Sequence, residues 1–121
     1  MTWILVALGA AVGAPARYLT DRAIQARHDS VFPWGTFTVN VVGSFILGVL
    51  VGATPVIGPS AVACLGVGFC GALTTYSTFG YETLRLARDG AWLFAAANAI
   101  CSVLAGLGAA TLGWGVGAAL R

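Results

Sequence analysis

The residues of this chain that carry chemistry sit inside its apolar stretches. The densest group is Gly71-Ala72-Leu73-Thr74-Thr75-Tyr76-Ser77-Thr78-Phe79, preceded by Gly66 and Gly68. Hydroxyl side chains compete for backbone hydrogen bonds, and successive β-branched threonines make a poor regular helix. A helix broken at this point is the natural expectation, with a Ser/Thr cluster bonding back along an unbroken helix as the alternative. Unwound backbone at membrane depth is tolerated only where protein buries it or it lines a cavity, and its freed carbonyls commonly hold a cation. A second group is the polar stripe Thr36, Asn40 and Ser44, spaced i, i+4, i+8 on one helix face. Asn98 and Ser102 repeat that spacing further on. A polar side chain desolvated in lipid is costly and usually faces a partner or a cavity, so function belongs at these three places.

The elements that must position them are membrane spans. The 121 residues are 59% hydrophobic and 8% charged, and the mean hydropathy is +0.91, far from the balance of a soluble domain. Six arginines against four acids give +2 with no lysine, which leaves no basic patch for a phosphate backbone and excludes nucleic-acid binding. Apart from Arg121 the charges form two clusters, Arg17 to Asp29 and Glu82 to Asp89. A span needs about 20 apolar residues, so four fit and six do not. The uncharged block 30–81 is broken by Thr54-Pro55-Val56-Ile57-Gly58-Pro59-Ser60, which reads as a turn between two spans. The expected spans are residues 2–22, 34–53, 60–85 and 91–116, in a single membrane domain over 1–121.

Lesser features fit that frame. Trp34, Trp92 and Trp114 fall near span ends, where their rings favour the membrane interface. The stretch from Trp3 to Ala14-Pro15-Ala16 has the outline of a secretory signal but lacks its charged n-region, and Arg17 is better read as the end of a span. Cys64, Cys70 and Cys101 show neither disulfide nor metal spacing and read as small packing residues. The pairs Gly9/Gly13, Gly48/Gly52 and Gly113/Gly117 have the spacing that lets helix backbones approach closely. They read as packing without direct function.

Three segments carry a family resemblance. Gly9-Ala10-Ala11-Val12-Gly13-Ala14-Pro15-Ala16-Arg17-Tyr18, then Gly35-Thr36, Val39-Asn40, Gly43-Ser44-Phe45 and Gly48, then Gly68 through Phe79, resemble in order and spacing the signature of the CrcB/Fluc fluoride channels. The resemblance implies an all-α integral membrane protein of four transmembrane helices, the third broken near its centre, paired as an antiparallel, dual-topology dimer. It implies passive, fluoride-selective export across a bacterial plasma membrane that lowers cytoplasmic fluoride, and a structural sodium ion at the dimer centre. On that template the backbone carbonyls of Gly71 and Thr74 hold sodium, and Asn40, Tyr76, Phe79, Ser77, Thr78 and Ser102 line the fluoride path. Arg17, Thr36 and Glu82 belong to a vestibule or to helix ends. Two departures stand out. Tyr76 replaces a phenylalanine, and Asn98, Ser102 and Gly106 replace a tyrosine followed by two hydroxyls.

Charge placement bears on assembly. Arg22, Arg27, Arg85 and Arg88 share one side of a four-span topology and Arg121 stands on the other, so the positive-inside rule orients both termini outside. A dual-topology homodimer needs little bias, which keeps a heterodimer with a related, oppositely oriented subunit open beside the homodimer. In that case this chain would be a non-conducting or half-functional subunit. A small multidrug transporter would need a carboxylate within the first span, whereas the first acid is Asp21 at its end. An enzyme is excluded by the lone His28 in a charged loop, with no base placed beside a nucleophile.

Overall fold

The computed structural model describes residues 2–27, 32–75 and 77–121, with the Ser77 side chain outside that description. Every element in it is helical. They are α1 (Thr2–Arg27), α2 (Trp34–Gly52), α3 (Thr54–Ala61), a π-helical segment (Val62–Cys70), α4 (Gly71–Leu73), α5 (Ser77–Arg88) and α6 (Trp92–Ala119). Among the described residues, four stretches are long and apolar enough to cross a membrane: Thr2–Arg27, Trp34–Gly52, Thr54–Arg88 and Trp92–Ala119.

The boundaries differ from expectation in two places. Helix α1 passes through Pro15 and runs on to Arg27, because Arg22 to Arg27 are mostly good helix formers and Arg27 in the last turn suits the negative helix end. The segment expected as a turn at 54–60 is instead two helical pieces that meet at Gly58, where φ is 84° and ψ 165°. Pro55 fits the first turn of such a piece, since its missing N–H would be unbonded there anyway. Gly58 supplies a conformation that a side chain would disfavour.

Lipid removes most of the hydrophobic drive between helices, so association rests on close backbone approach. Helix α2 packs chiefly on α6, and α1 chiefly on the π-helical segment. A Cβ at Gly48 would strike the Ala110 carbonyl oxygen and one at Gly52 that of Trp114, while Cβ atoms at Gly113 and Gly117 would strike the Phe45 and Val49 carbonyls. The two glycine pairs thus interdigitate. Gly9 and Gly13 meet the Cys64 and Phe69 carbonyls in the same way, and Gly68 meets that of Val6. Large apolar side chains such as Leu93, 81% exposed, and Trp92, 70% exposed, point outward, as lipid-facing and interfacial positions should.

Because the obstacle at Gly48 and Gly113 is backbone, it cannot rotate away. Gly48→Leu and Gly113→Leu should each cost at least the ~1–3 kcal/mol typical of overpacking, seen as a several-fold loss of folded protein in detergent and a lower melting temperature. Gly115→Ala, where a Cβ meets nothing, should melt like the parent.

Candidate functional site

Asn40, half-buried on α2, faces the interval between α4 and α5. Its Nδ2 donates to the Thr75 carbonyl at 3.1 Å, and its Oδ1 accepts from the Thr75 N–H at 2.8 Å. One amide side chain therefore satisfies both backbone groups of Thr75. The preceding residue, Thr74, has an extended backbone, with φ −80° and ψ 162°. Its N–H and its Oγ1 both donate to the Cys70 carbonyl, at 3.0 and 2.9 Å.

These bonds redirect the helical ladder. In a continuous helix the Gly71 carbonyl would accept from the Thr75 N–H, but that N–H donates to Asn40. The Thr74 carbonyl would accept from the Thr78 N–H, which donates instead to Thr75 Oγ1 at 3.2 Å. Both carbonyls are thereby left without their helical partners. The Arg17 guanidinium approaches the Thr74 carbonyl, Nη1 to O at 3.5 Å, so Arg17 stands beside this interval and not only at a helix end.

An open groove of about 540 Å³ lies along this interval, lined by Asn40, Ser44, Gly71, Thr74, Thr75, Phe79 and Ser102 among others. No charged side chain among the described residues lines it. Its polar groups are neutral amide, hydroxyl and carbonyl, set among apolar walls that include Leu47 and Val103. Asn40 spends one of its two N–H bonds on Thr75, leaving the second available. Such a surface can replace part of a hydration shell without fixing an ion by full charge.

The charged end of the bundle is separate. Thr36 is buried and hydrogen-bonds Glu82, with Asp21 and Arg85 close by. Among the described residues, Glu82 Oε1 and Asp21 Oδ1 are buried without a hydrogen-bond partner. Asp21 also packs against Gly35, where a Cβ would strike Oδ1. Thr36 and Glu82 therefore meet at one end, while Asn40 and Ser44 of the same stripe reach the groove.

Of the residues singled out in the sequence, the groove gathers Gly71, Thr74, Asn40, Phe79 and Ser102. Thr78 is exposed outside its lining. Tyr76 and the Ser77 side chain lie outside the described residues. Asn98 is wholly buried, and its Nδ2 donates to Thr83 Oγ1 at 2.7 Å. Thr83 was not singled out. The only sequence signal for it is that a buried Asn98 at membrane depth requires a partner. The cysteines are free, with Cys70 buried and Cys101 exposed.

A family model described as CrcB-like protein, Camphor Resistance (CrcB), matches residues 4–114. A protein of Frankia casuarinae named Fluoride-specific ion channel FluC 1 is 62% identical over 120 residues, covering 93% of each chain. One of the same name from Streptomyces avermitilis is 63% identical over 115 residues, again covering 93% of each. Fluoride-specific ion channel FluC 2 of Rhodococcus jostii is 49% identical over 114 residues, covering 94% of this chain and 96% of its own. With the family match spanning nearly the whole chain and relatives this similar over 93% of their length, the chain belongs to the CrcB family, a family of channels and not of enzymes.

Proposed function

We propose that this chain forms a fluoride-selective channel that lets fluoride leave the cell passively, lowering cytoplasmic fluoride from a bacterial plasma membrane. The observation that carries the reading is the uncharged groove beside the Asn40–Thr75 pair, lined by amide, hydroxyl and aromatic groups. Fluoride is small and strongly hydrated, so its path must offer N–H, O–H and the positive edges of rings in place of water, yet release the ion quickly. Asn40 and Phe79 supply the first and last of these, and Thr75 the hydroxyl, while Ser102 lines the groove with its own proton donated to Asn98. The relatives named as fluoride-specific channels support the choice of ion.

In this reading the third span is a broken helix and the groove is half of an assembly, closed by an antiparallel second subunit. A structural sodium ion suits the Gly71 and Thr74 carbonyls, which are hard oxygen donors deprived of their helical N–H partners. When bound, it would supply positive charge that lowers the cost of placing an anion in a low-dielectric interior. Arg17 beside the Thr74 carbonyl adds to the same potential. The arginine bias between the two sides favours a second reading in which the partner is a related subunit of opposite orientation.

Liposomes holding only the purified chain should release fluoride rapidly and retain chloride. A folded, reconstituted chain that releases none would overturn self-sufficiency, and flux restored by an oppositely oriented relative would establish the heterodimer. Asn40→Leu removes both bonds to Thr75 at similar volume. With the Thr75 N–H and carbonyl unpaired, the extended segment beside the groove loses the contact that fixes its place, so fluoride flux per folded channel should fall at least tenfold. Replacing sodium by a bulky organic cation should lower the melting temperature of the parent, since a ligand at about a hundredfold its Kd stabilises by ~2.7 kcal/mol. Equal melting in both buffers would remove sodium from the scheme.

A further inference from the structure

Helix α5 begins at Ser77, three residues after the extended Thr74. Its first turn therefore has no continuous helix before it to hold it in place, although it carries Phe79, whose side chain lines the groove. Thr75 Oγ1 caps that turn through the Thr78 N–H, and further support comes from across the bundle. Helix α5 packs on α6, and a chain of hydrogen bonds joins them. Ser102 Oγ donates to Asn98 Oδ1 at 3.3 Å, Asn98 Nδ2 donates to Thr83 Oγ1 at 2.7 Å, and Thr83 Oγ1 donates to the Phe79 carbonyl at 2.8 Å.

The direction of that chain matters. An amide nitrogen only donates, so Thr83 Oγ1 must accept from Asn98 and turn its single proton to another acceptor. The Phe79 carbonyl, one helical turn back, is that acceptor. Asn98 is 0% exposed and so has no water to exchange with, which fixes its rotamer through these partners. Ser102 at the other end lines the groove itself. The chain thus begins and ends at residues of the groove and passes through the half-buried Thr83 and the buried Asn98.

We infer that Thr83 and Asn98 form a hydrogen-bonded strut that positions Phe79 and Ser102 along the ion path, a role resting on the reading of the groove as that path. Neither touches the ion; they are positioning residues. The strut also accounts for asparagine at this position of α6, because its terminal amide both accepts from Ser102 and donates to Thr83.

The test uses the full chain in liposomes, with melting temperature to confirm folding. Thr83→Val keeps the shape and removes the hydroxyl, Asn98→Leu removes the amide, and Thr83→Ser keeps the hydroxyl. Unitary fluoride current should fall at least fivefold in Thr83→Val and Asn98→Leu and no further in the double variant. Thr83→Ser should stay within twofold of the parent. Loss of stability alone would reduce the number of channels and leave the unitary current untouched. Parent-like current from folded Thr83→Val, or equal losses in Thr83→Ser and Thr83→Val, would overturn the strut. A second readout does not depend on conduction: the fluorine NMR signal of 4-fluorophenylalanine placed at position 79 should shift or broaden in Thr83→Val and not in Thr83→Ser. A parent chain that carries no fluoride would sink the proposed function, whereas an unmoved fluorine signal would sink the strut by itself.

Discussion

The rest of the structure depends on how two backbone groups are satisfied at membrane depth. In lipid an unpaired N–H or C=O costs several kcal/mol, and ordinary transmembrane chains avoid the cost by staying helical. Here the backbone at Thr74 is extended, and a side chain from another helix meets the requirement by bonding both the N–H and the carbonyl of Thr75. Asparagine suits the task because its amide carries a donor and an acceptor side by side. Serine or threonine offers one atom for both jobs, and aspartate lacks the donor. What Asn40 takes from the helical ladder it also leaves exposed elsewhere: the Gly71 carbonyl loses its partner because Thr75 turns to Asn40.

Such a bond holds only if α2 is held to better than an ångström, and glycine does that. Gly43 lies against the Thr74 methyl, which a Cβ there would strike, so the helix carrying Asn40 can approach the extended segment. One and two turns beyond, Gly48 and Gly52 lock α2 to Gly113 and Gly117 of α6. Helix α6 in turn carries Asn98 and Ser102. Close backbone packing on one side of α2 and a hydrogen-bonded amide on the other therefore form one mechanical unit.

Much of this was legible because it is periodic. Long apolar blocks between charge clusters mark four spans, and glycines four apart mark packed faces. A stripe at i, i+4, i+8 placed Asn40 and Ser44 together on one face, and both line the groove. What periodicity could not report is the pairing of atoms between elements. Nothing in the spacing says that Asn40 spends both atoms on Thr75, that Arg17 reaches the Thr74 carbonyl, or that Asn98 finds Thr83. The π-helical geometry of Val62–Cys70 is likewise invisible, since an apolar, glycine-rich run satisfies either helix equally well. The end of α1 was placed five residues early for a different reason. Hydropathy registers where the membrane stops, whereas the helix continues into polar sequence to Arg27.

In the proposed channel, a groove lined by neutral groups has a kinetic meaning. At about 4 Å and an effective dielectric near 20, a full positive charge attracts an anion by ~4 kcal/mol, which is roughly a thousandfold in residence time. A guanidinium lining the path would hold fluoride for too long, while a path with no donors would never dehydrate it. In this chain the Arg17 guanidinium is directed at a backbone carbonyl, and the carboxylates of Asp21 and Glu82 are gathered with Thr36 at one end. Among the described residues, the lining of the groove offers dipoles alone. Dipoles fall off faster with distance than charges, so each holds an ion only at contact and releases it once it has moved on. On the proposed reading, rigid placement must carry the selectivity that charge does not supply, and the half-buried amide of Asn40 and the buried amide of Asn98 then matter as much as the groups the ion would touch.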